Sequence, residues 1–233
     1  MSNHYLSVED YFDNSINSFC QQRGKTSEVG LMSYAAYLLD RIQPNEGAKL
    51  LDVGCGDGLP MAMISKMRPD LKIDGLELSE NLAALAKENN PEGEIYTGNA
   101  LDVALPAGKY NTIFSFSFLQ YIPLNDVSVV QQHLVKSIIS GGGGVIIHCS
   151  IPDVHMQPIS MAEYIFKEKG MSGWWRTPIA YIISRIRRGN IYGDGHGFWH
   201  DPKKLQIQLE QIGQTEILPG DVYYRFDIKQ IVE

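Results

Sequence analysis

Gly54, Gly56 and Gly58 recur at every second position, directly after the acid Asp52 that ends the apolar run Leu50-Leu51. Glycines at such a turn let the backbone double back and let a ligand approach it with no Cβ in the way. Leu59 to Met67 then reads as a helix, whose first N–H groups point back toward the turn. Asp52 places a carboxylate where it could face an ammonium or sulfonium group. Glu77 ends the next apolar strand, about 20 residues past the turn, a spacing at which an acid accepts hydrogen bonds from ribose hydroxyls. The chemistry suggested is the holding of a ligand with a cationic end and a ribose.

Two other readings compete. A tight loop needs glycines whether or not a ligand is present. A dinucleotide fingerprint, G-x-G-x-x-G counted from Gly54, needs a glycine at position 59, which is Leu59. A pyrophosphate on this turn would also lie beside Asp52 and Asp57. Nicotinamide and flavin dinucleotides are therefore disfavoured.

The elements that must position these residues alternate between apolar runs and helical stretches, as in βαβ units with a mostly parallel sheet. Strands are expected at 48–53, 72–77, 94–97, 110–116 and 143–149, and helices at 59–68, 79–89 and 125–139. The run from Glu28 to Ile42 fits a helix stopped by Pro44 and Gly47. Gly141 to Gly144 is a tight entry into the strand at 143–149. A helix capped at Asp201-Pro202 precedes two last strands, 214–218 and 222–232, that meet at Pro219-Gly220-Asp221. The expectation is a single domain over 1–233, with a helical segment at 1–47 and a substrate-side insertion at 151–200.

Asp52-Val53-Gly54-Cys55-Gly56-Asp57-Gly58 resembles motif I, D-x-G-x-G-x-G, of the class I, Rossmann-like S-adenosylmethionine-dependent methyltransferases. The resemblance implies a doubly wound α/β fold with a seven-stranded sheet, mostly parallel with an antiparallel last strand, N-terminal helices and a helical insertion before the last two strands. It implies that Asp52, Gly54, Cys55, Gly56 and Gly58 cradle the methionine part of S-adenosylmethionine, with S-adenosylhomocysteine as product. Glu77 with Leu78 would bind the ribose. Gly98-Asn99-Ala100 and Leu101 stand where the family contacts adenine, with Asn99 in place of the usual acid. Ser115 and Phe116 end the fourth strand beside the cofactor, and Tyr11, in a helical N-terminal lid at 1–47, would close over it. Leu119-Gln120-Tyr121 lacks the histidine that many relatives carry in L-x-H. The match covers about residues 48–150 well and 200–232 loosely.

The implied function is methyl transfer to a small-molecule acceptor, on oxygen or nitrogen, with a polar, anionic or sugar-like metabolite in view. The alternatives are a non-catalytic S-adenosylmethionine-binding regulatory protein, an RNA or protein methyltransferase, and a nucleotide-dependent oxidoreductase. A formal charge of -7 argues against nucleic-acid phosphates as partner. Tyr121, Trp174, Trp175 and Arg185 are the acceptor-side candidates, although Arg185, Arg187 and Arg188 also suit a solvated helix end.

His196, His200 and His148 are the candidates for a general base, because an imidazole titrates near neutral pH. Packing roles compete for each of them. The spacing of His and Cys fits no metal site. Three scattered cysteines, no leader-like start and no long apolar run lead to the expectation of a cytoplasmic protein. The oligomeric state is open at this level.

Overall fold

A computed structural model describes residues 8, 12–13, 28–141, 143–157, 159–160, 162–163 and 197–232. Tyr11, Trp174, Trp175, Arg185 and His196 lie outside the described residues. So do Arg187 and Arg188.

The central strands form around apolar runs such as Leu50-Leu51 and Val145-Ile146-Ile147, as expected for strands covered on both faces. Helix α1 (Glu28–Ile42) leads into β1 (Lys49–Val53), α2 (Leu59–Met67), β2 (Lys72–Glu77), α3 (Glu80–Asn89) and β3 (Ile95–Thr97). β4 (Thr112–Phe116), a 3-10 turn (Leu119–Tyr121), α4 (Leu124–Val135) and β5 (Gly144–Pro152) follow. α5 (Pro202–Glu210), β6 (Gln214–Pro219) and β7 (Arg225–Val232) complete the described elements.

One seven-stranded sheet results, in the order β3-β2-β1-β4-β5-β7-β6. β7 runs antiparallel to both of its neighbours, and the other recorded pairings are parallel. This is the doubly wound sheet with an antiparallel last strand that the resemblance implied.

Three boundaries differ from expectation by more than two residues. β5 continues to Pro152, because Ile151 and Pro152 still pair with Phe226 and Arg225 beyond a register shift. α4 stops at Val135, because Ser137 and Ile138 turn back onto Leu134 and Val135 while the Ile139 N–H bonds Tyr110. The last strand begins at Arg225, since the segment before it closes a turn through Arg225 N–H to Val222 O.

Each sheet face has its own core. On one, Leu51, Ile113 and Ile146 meet Val127, Val130 and Leu134 of α4 and Leu205 and Leu209 of α5. On the other, Leu50, Phe114 and Ile147 meet Ala35, Leu38 and Ile42 of α1 and Met61 and Ile64 of α2. Burying one such aliphatic or aromatic side chain contributes about 1.5–3 kcal/mol.

β1 and β4 are neighbours whose following helices pack on opposite faces, α2 with one core and α4 with the other. A crevice opens at the carboxyl ends of strands at such a switch point. No helix among the described residues is long and apolar enough to cross a membrane.

Candidate functional site

At the end of β1 the Gly54 and Cys55 N–H groups both bond Leu76 O, at 2.7 and 3.1 Å, which turns the chain over the end of β2. Gly54 has φ 75°, and a Cβ there would lie 3.0 Å from Phe118 Cδ2. At Gly58 (φ 73°) a Cβ would lie 2.8 Å from Ala86 Cα of α3. Asn89 and Asn90 complete the clamp from the end of α3 with amide donations to Asp57 O and Gly58 O, both at 2.8 Å.

Glu77 ends β2 almost wholly buried. Its Oε2 accepts from Gly56 N–H at 2.8 Å, and its Oε1 accepts from Leu78 N–H (2.9 Å) and Ser79 N–H (3.0 Å). Burial raises its pKa against the opposing pull of those three bonds. Burial and the neighbouring Asp52 and Glu77 carboxylates push the Cys55 thiol up as well. Ser79 caps α3 by accepting from Leu82 N–H and bonds the Asp13 carboxylate. Asp52 and Glu77 put two carboxyl groups on this end of the crevice, and Asp13 stands behind them on Ser79.

A cavity of about 540 Å³ opens over these residues, well within the usual size range of small-molecule sites. Asp52, Gly54, Cys55, Gly56, Glu77 and Leu78 line it, as do Asn99, Ala100, Phe116 and Tyr121. Asn99 spends Oδ1 on Leu101 N–H at 3.0 Å, which leaves its amide N–H₂ to donate.

Gly58, Leu101 and Ser115 are not on the wall. Gly58 packs against α3, Leu101 against the core, and Ser115 bonds His148.

Two of the general-base candidates, His148 and His200, are held by neighbours away from the cavity. His148 is fully buried between Ser115 Oγ (2.7 Å to Nδ1) and Gln131 Oε1 (2.9 Å to Nε2), and desolvation pushes its pKa down to about 3. Gln131 in turn donates to Gln230, so the imidazole belongs to a polar chain through the core. His200 spends Nε2 on Leu119 O at 2.8 Å, and burial lowers its pKa. Neither lines the cavity.

Several wall residues carry no motif. Leu31 and Tyr34 reach the cavity from α1, and the Tyr34 ring stands edge-on to Phe116 with centroids 4.4 Å apart. Their only signal is the apolar face of an amphipathic helix, which packing alone would also produce. Phe12 meets Tyr121 edge-on at 5.2 Å.

Gln120, read only as part of a missing L-x-H, lies on the wall beside Ser117. Arg225, from β7, donates to both of their side chains at 3.2 Å. No local pattern marks that pair, which is 105 residues apart in sequence. Among the described residues no group of three or more His, Cys, Asp or Glu is placed to hold a metal ion.

Comparison with known proteins agrees with this geometry. A family profile described as a methyltransferase domain matches residues 50–142. A trans-aconitate 2-methyltransferase of Afipia carboxidovorans is 26% identical over 121 residues, covering 52% of this chain and 45% of that protein. The chain thus spans about half the length of the curated relatives it matches. The magnesium protoporphyrin IX methyltransferase of Synechocystis PCC 6803, solved with bound SAH, superposes with a TM-score of 0.63 at 16% identity, over 99% of this chain and 100% of that one. An amino pentose methyltransferase of Micromonospora echinaspora, solved with bound SAM, gives 0.63 at 15% identity, over 93% and 96%. At these identities the two structures establish the fold.

Proposed function

We infer that the chain is a class I, Rossmann-like S-adenosylmethionine-dependent methyltransferase, and that it transfers a methyl group from S-adenosylmethionine to a small-molecule acceptor and leaves S-adenosylhomocysteine. The observation that carries this reading is the single cavity wall shared by Asp52, Gly54, Gly56 and Glu77. These residues suit the cofactor. The glycine turn presents bare backbone, and the surrounding acids favour a cationic ligand. Oε2 of Glu77 accepts from the Gly56 N–H and retains a lone pair for a ribose hydroxyl. Asn99 offers amide hydrogens where adenine would lie.

The cofactor supplies an electrophilic methyl on a sulfonium, and the chain's contribution is alignment and exclusion of water. Asp52 and Glu77 hold one end of the cavity. Tyr34, Phe116 and Tyr121 present aromatic surface beyond them. The trans-aconitate methyltransferases among the relatives, which act on a small acid by their name, support an acceptor of that size.

Residues 1–47 are read as a lid and 151–200 as an acceptor-side insertion of one domain. Phe12 on the cavity wall supports the first, and Gly197 and Phe198 packing onto Gln120 support the second. The buried free thiols Cys55 and Cys149 suit a reducing compartment, and a cytoplasmic location is part of this reading.

Calorimetric titration with S-adenosylmethionine and S-adenosylhomocysteine tests it, on the native chain and on Glu77→Ala. Micromolar binding that the substitution weakens is expected. Absence of binding to both ligands would overturn the reading.

A further inference from the structure

The cofactor residues sit at the ends of β1, β2 and β3. The opposite side of the cavity is built after β4, where Ser117, Gln120 and Tyr121 form the wall. Gln120 is held there from two directions. Its backbone carbonyl accepts from Phe198 N–H at 2.6 Å, and its Oε1 accepts from Arg225 Nη2 at 3.2 Å. Because Oε1 is directed to the guanidinium, the N–H₂ group is the donor end that the Gln120 amide keeps for an occupant of the cavity that Gln120 lines.

Arg225 is half-buried, and every hydrogen-bond acceptor it has among the described residues is neutral. Nη1 donates to Ser150 O (2.6 Å), Ser117 Oγ (3.2 Å) and Ser150 Oγ (3.4 Å), and Nη2 to Gln120 Oε1. The Tyr224 ring lies 5.8 Å from its Cζ. Among the described residues no carboxylate forms an ion pair with it. The nearest acids by bonding stand one residue away on Ser150. Asp221 accepts from its hydroxyl and Asp227 from its N–H, and Asp227 is already matched by Arg41.

Arg225 also fixes two residues with left-handed backbone, Ser117 (φ 54°) and Ser150 (φ 60°). Non-glycine residues held in this way concentrate at functional sites.

We propose that Gln120 and Arg225 form a carboxylate-recognition corner, in which the acceptor's carboxylate takes the Gln120 N–H donors while the Arg225 guanidinium behind them supplies the matching charge. Gln120 is the specificity-determining residue, and Arg225 is a positioning residue that acts through it. This moves anion recognition from Arg185 in the insertion to a pair anchored on the sheet. It rests on the methyltransferase reading for the site's purpose, but its test does not depend on turnover.

The experiment titrates benzoate, succinate and trans-aconitate, each against its full methyl ester, into the protein saturated with S-adenosylhomocysteine. At least one carboxylate is expected to bind at least tenfold more tightly than its ester. Arg225→Met and Gln120→Leu should each weaken that binding about tenfold, as for a lost hydrogen bond to a charged group. Arg225→Lys should recover part of the loss, and S-adenosylhomocysteine affinity should stay within twofold in all three variants.

If a panel acid is methylated, Arg225→Met should raise its KM and leave kcat nearly constant. Binding of no carboxylate, equal binding of the esters, or unchanged carboxylate binding in both Arg225→Met and Gln120→Leu would overturn the proposal. If S-adenosylhomocysteine itself does not bind, the methyltransferase reading fails. The same titration on the protein alone then decides the corner on the same criteria.

Discussion

Glu77 Oε2 accepts a 2.8 Å hydrogen bond from the Gly56 N–H, so the acid that ends β2 holds the turn that follows β1. The same carboxylate lines the cavity. One side chain therefore builds the floor of the site and offers itself to the occupant, and changes to it have two readouts.

Glu77→Ala removes the acceptor of three N–H groups in a nearly dry place. A buried donor left without a partner costs about 1–3 kcal/mol, and relaxation recovers part of the total. We expect unfolding free energy to fall by about 2–4 kcal/mol and S-adenosylmethionine affinity by about tenfold or more. Glu77→Gln, with one acceptor oxygen left, should fall between. An unchanged denaturant midpoint in Glu77→Ala would contradict the clasp.

The pH dependence of the same residue has two signs. Burial raises the Glu77 pKa, so the folded state takes up its proton above the ordinary glutamate range of about 4.3. Its contribution to folding is therefore present at low pH and lost as pH rises through the raised value. Cofactor affinity moves the other way, because a protonated acid loses acceptor capacity. Calorimetry from pH 8 downward should show affinity beginning to fall above the ordinary glutamate range, with that inflection missing in Glu77→Gln.

Gly58→Ala is predicted to be costly and Gly47→Ala mild. Both have positive φ, 73° and 69°, which for alanine costs about 1–2 kcal/mol. A Cβ at Gly58 also meets Ala86 Cα at 2.8 Å, whereas at Gly47 nothing lies within 4 Å. The overpacking adds about 1–3 kcal/mol at Gly58 alone. Denaturant unfolding of the two variants checks the difference, and equal losses would count against the close approach of α3.

His148 is neutral in the fold. Gln131 Oε1 faces its Nε2, because the Gln131 amide nitrogen donates to Gln230, and Nδ1 then accepts from Ser115. Its pKa is pushed down to about 3, against about 6.5 in the unfolded chain. The unfolded state therefore gains the proton first. Stability falls as pH drops below about 6.5, by up to about 1.4 kcal/mol per unit from this group. The His148 ring resonances should stay constant from pH 8 to 5, and titration near 6.5 would refute the assignment.

Asp227 has a fully buried side chain and accepts from Tyr37 (2.5 Å) and from Ser150 N–H (2.8 Å). Arg41 Nε lies 3.0 Å away, an ion pair by distance but with its N–H too poorly aimed for a hydrogen bond. Asp227→Ala strands these partners and should cost about 3–5 kcal/mol. Asp227→Asn keeps the shape and should cost less. Urea unfolding would separate the two.

The sequence by itself determined the parts of this protein governed by neighbours along the chain. The glycine turn after β1, the Ser79 and Asp201 caps and the continuous apolar runs of β1 and β5 arise from backbone conformation, local hydrogen bonding and periodicity, which a short window contains. Motif I with Glu77 was legible for the same reason, since both stand at the ends of adjacent strands.

Tertiary structure alone decided what lies across the sheet. His148 has the residue type of a base and the expected strand 143–149 puts it near a strand end, yet β5 runs on to Pro152 and Ser115 and Gln131 on other elements use both of its nitrogens. Tyr34 reads as ordinary helix core until α1 docks against Phe116. Arg225 and Gln120 meet only because β7 inserts beside β5, which places a cation behind an amide that no local pattern connects to it. Burial and long-range pairing depend on which surfaces come together, and that follows from packing the whole chain.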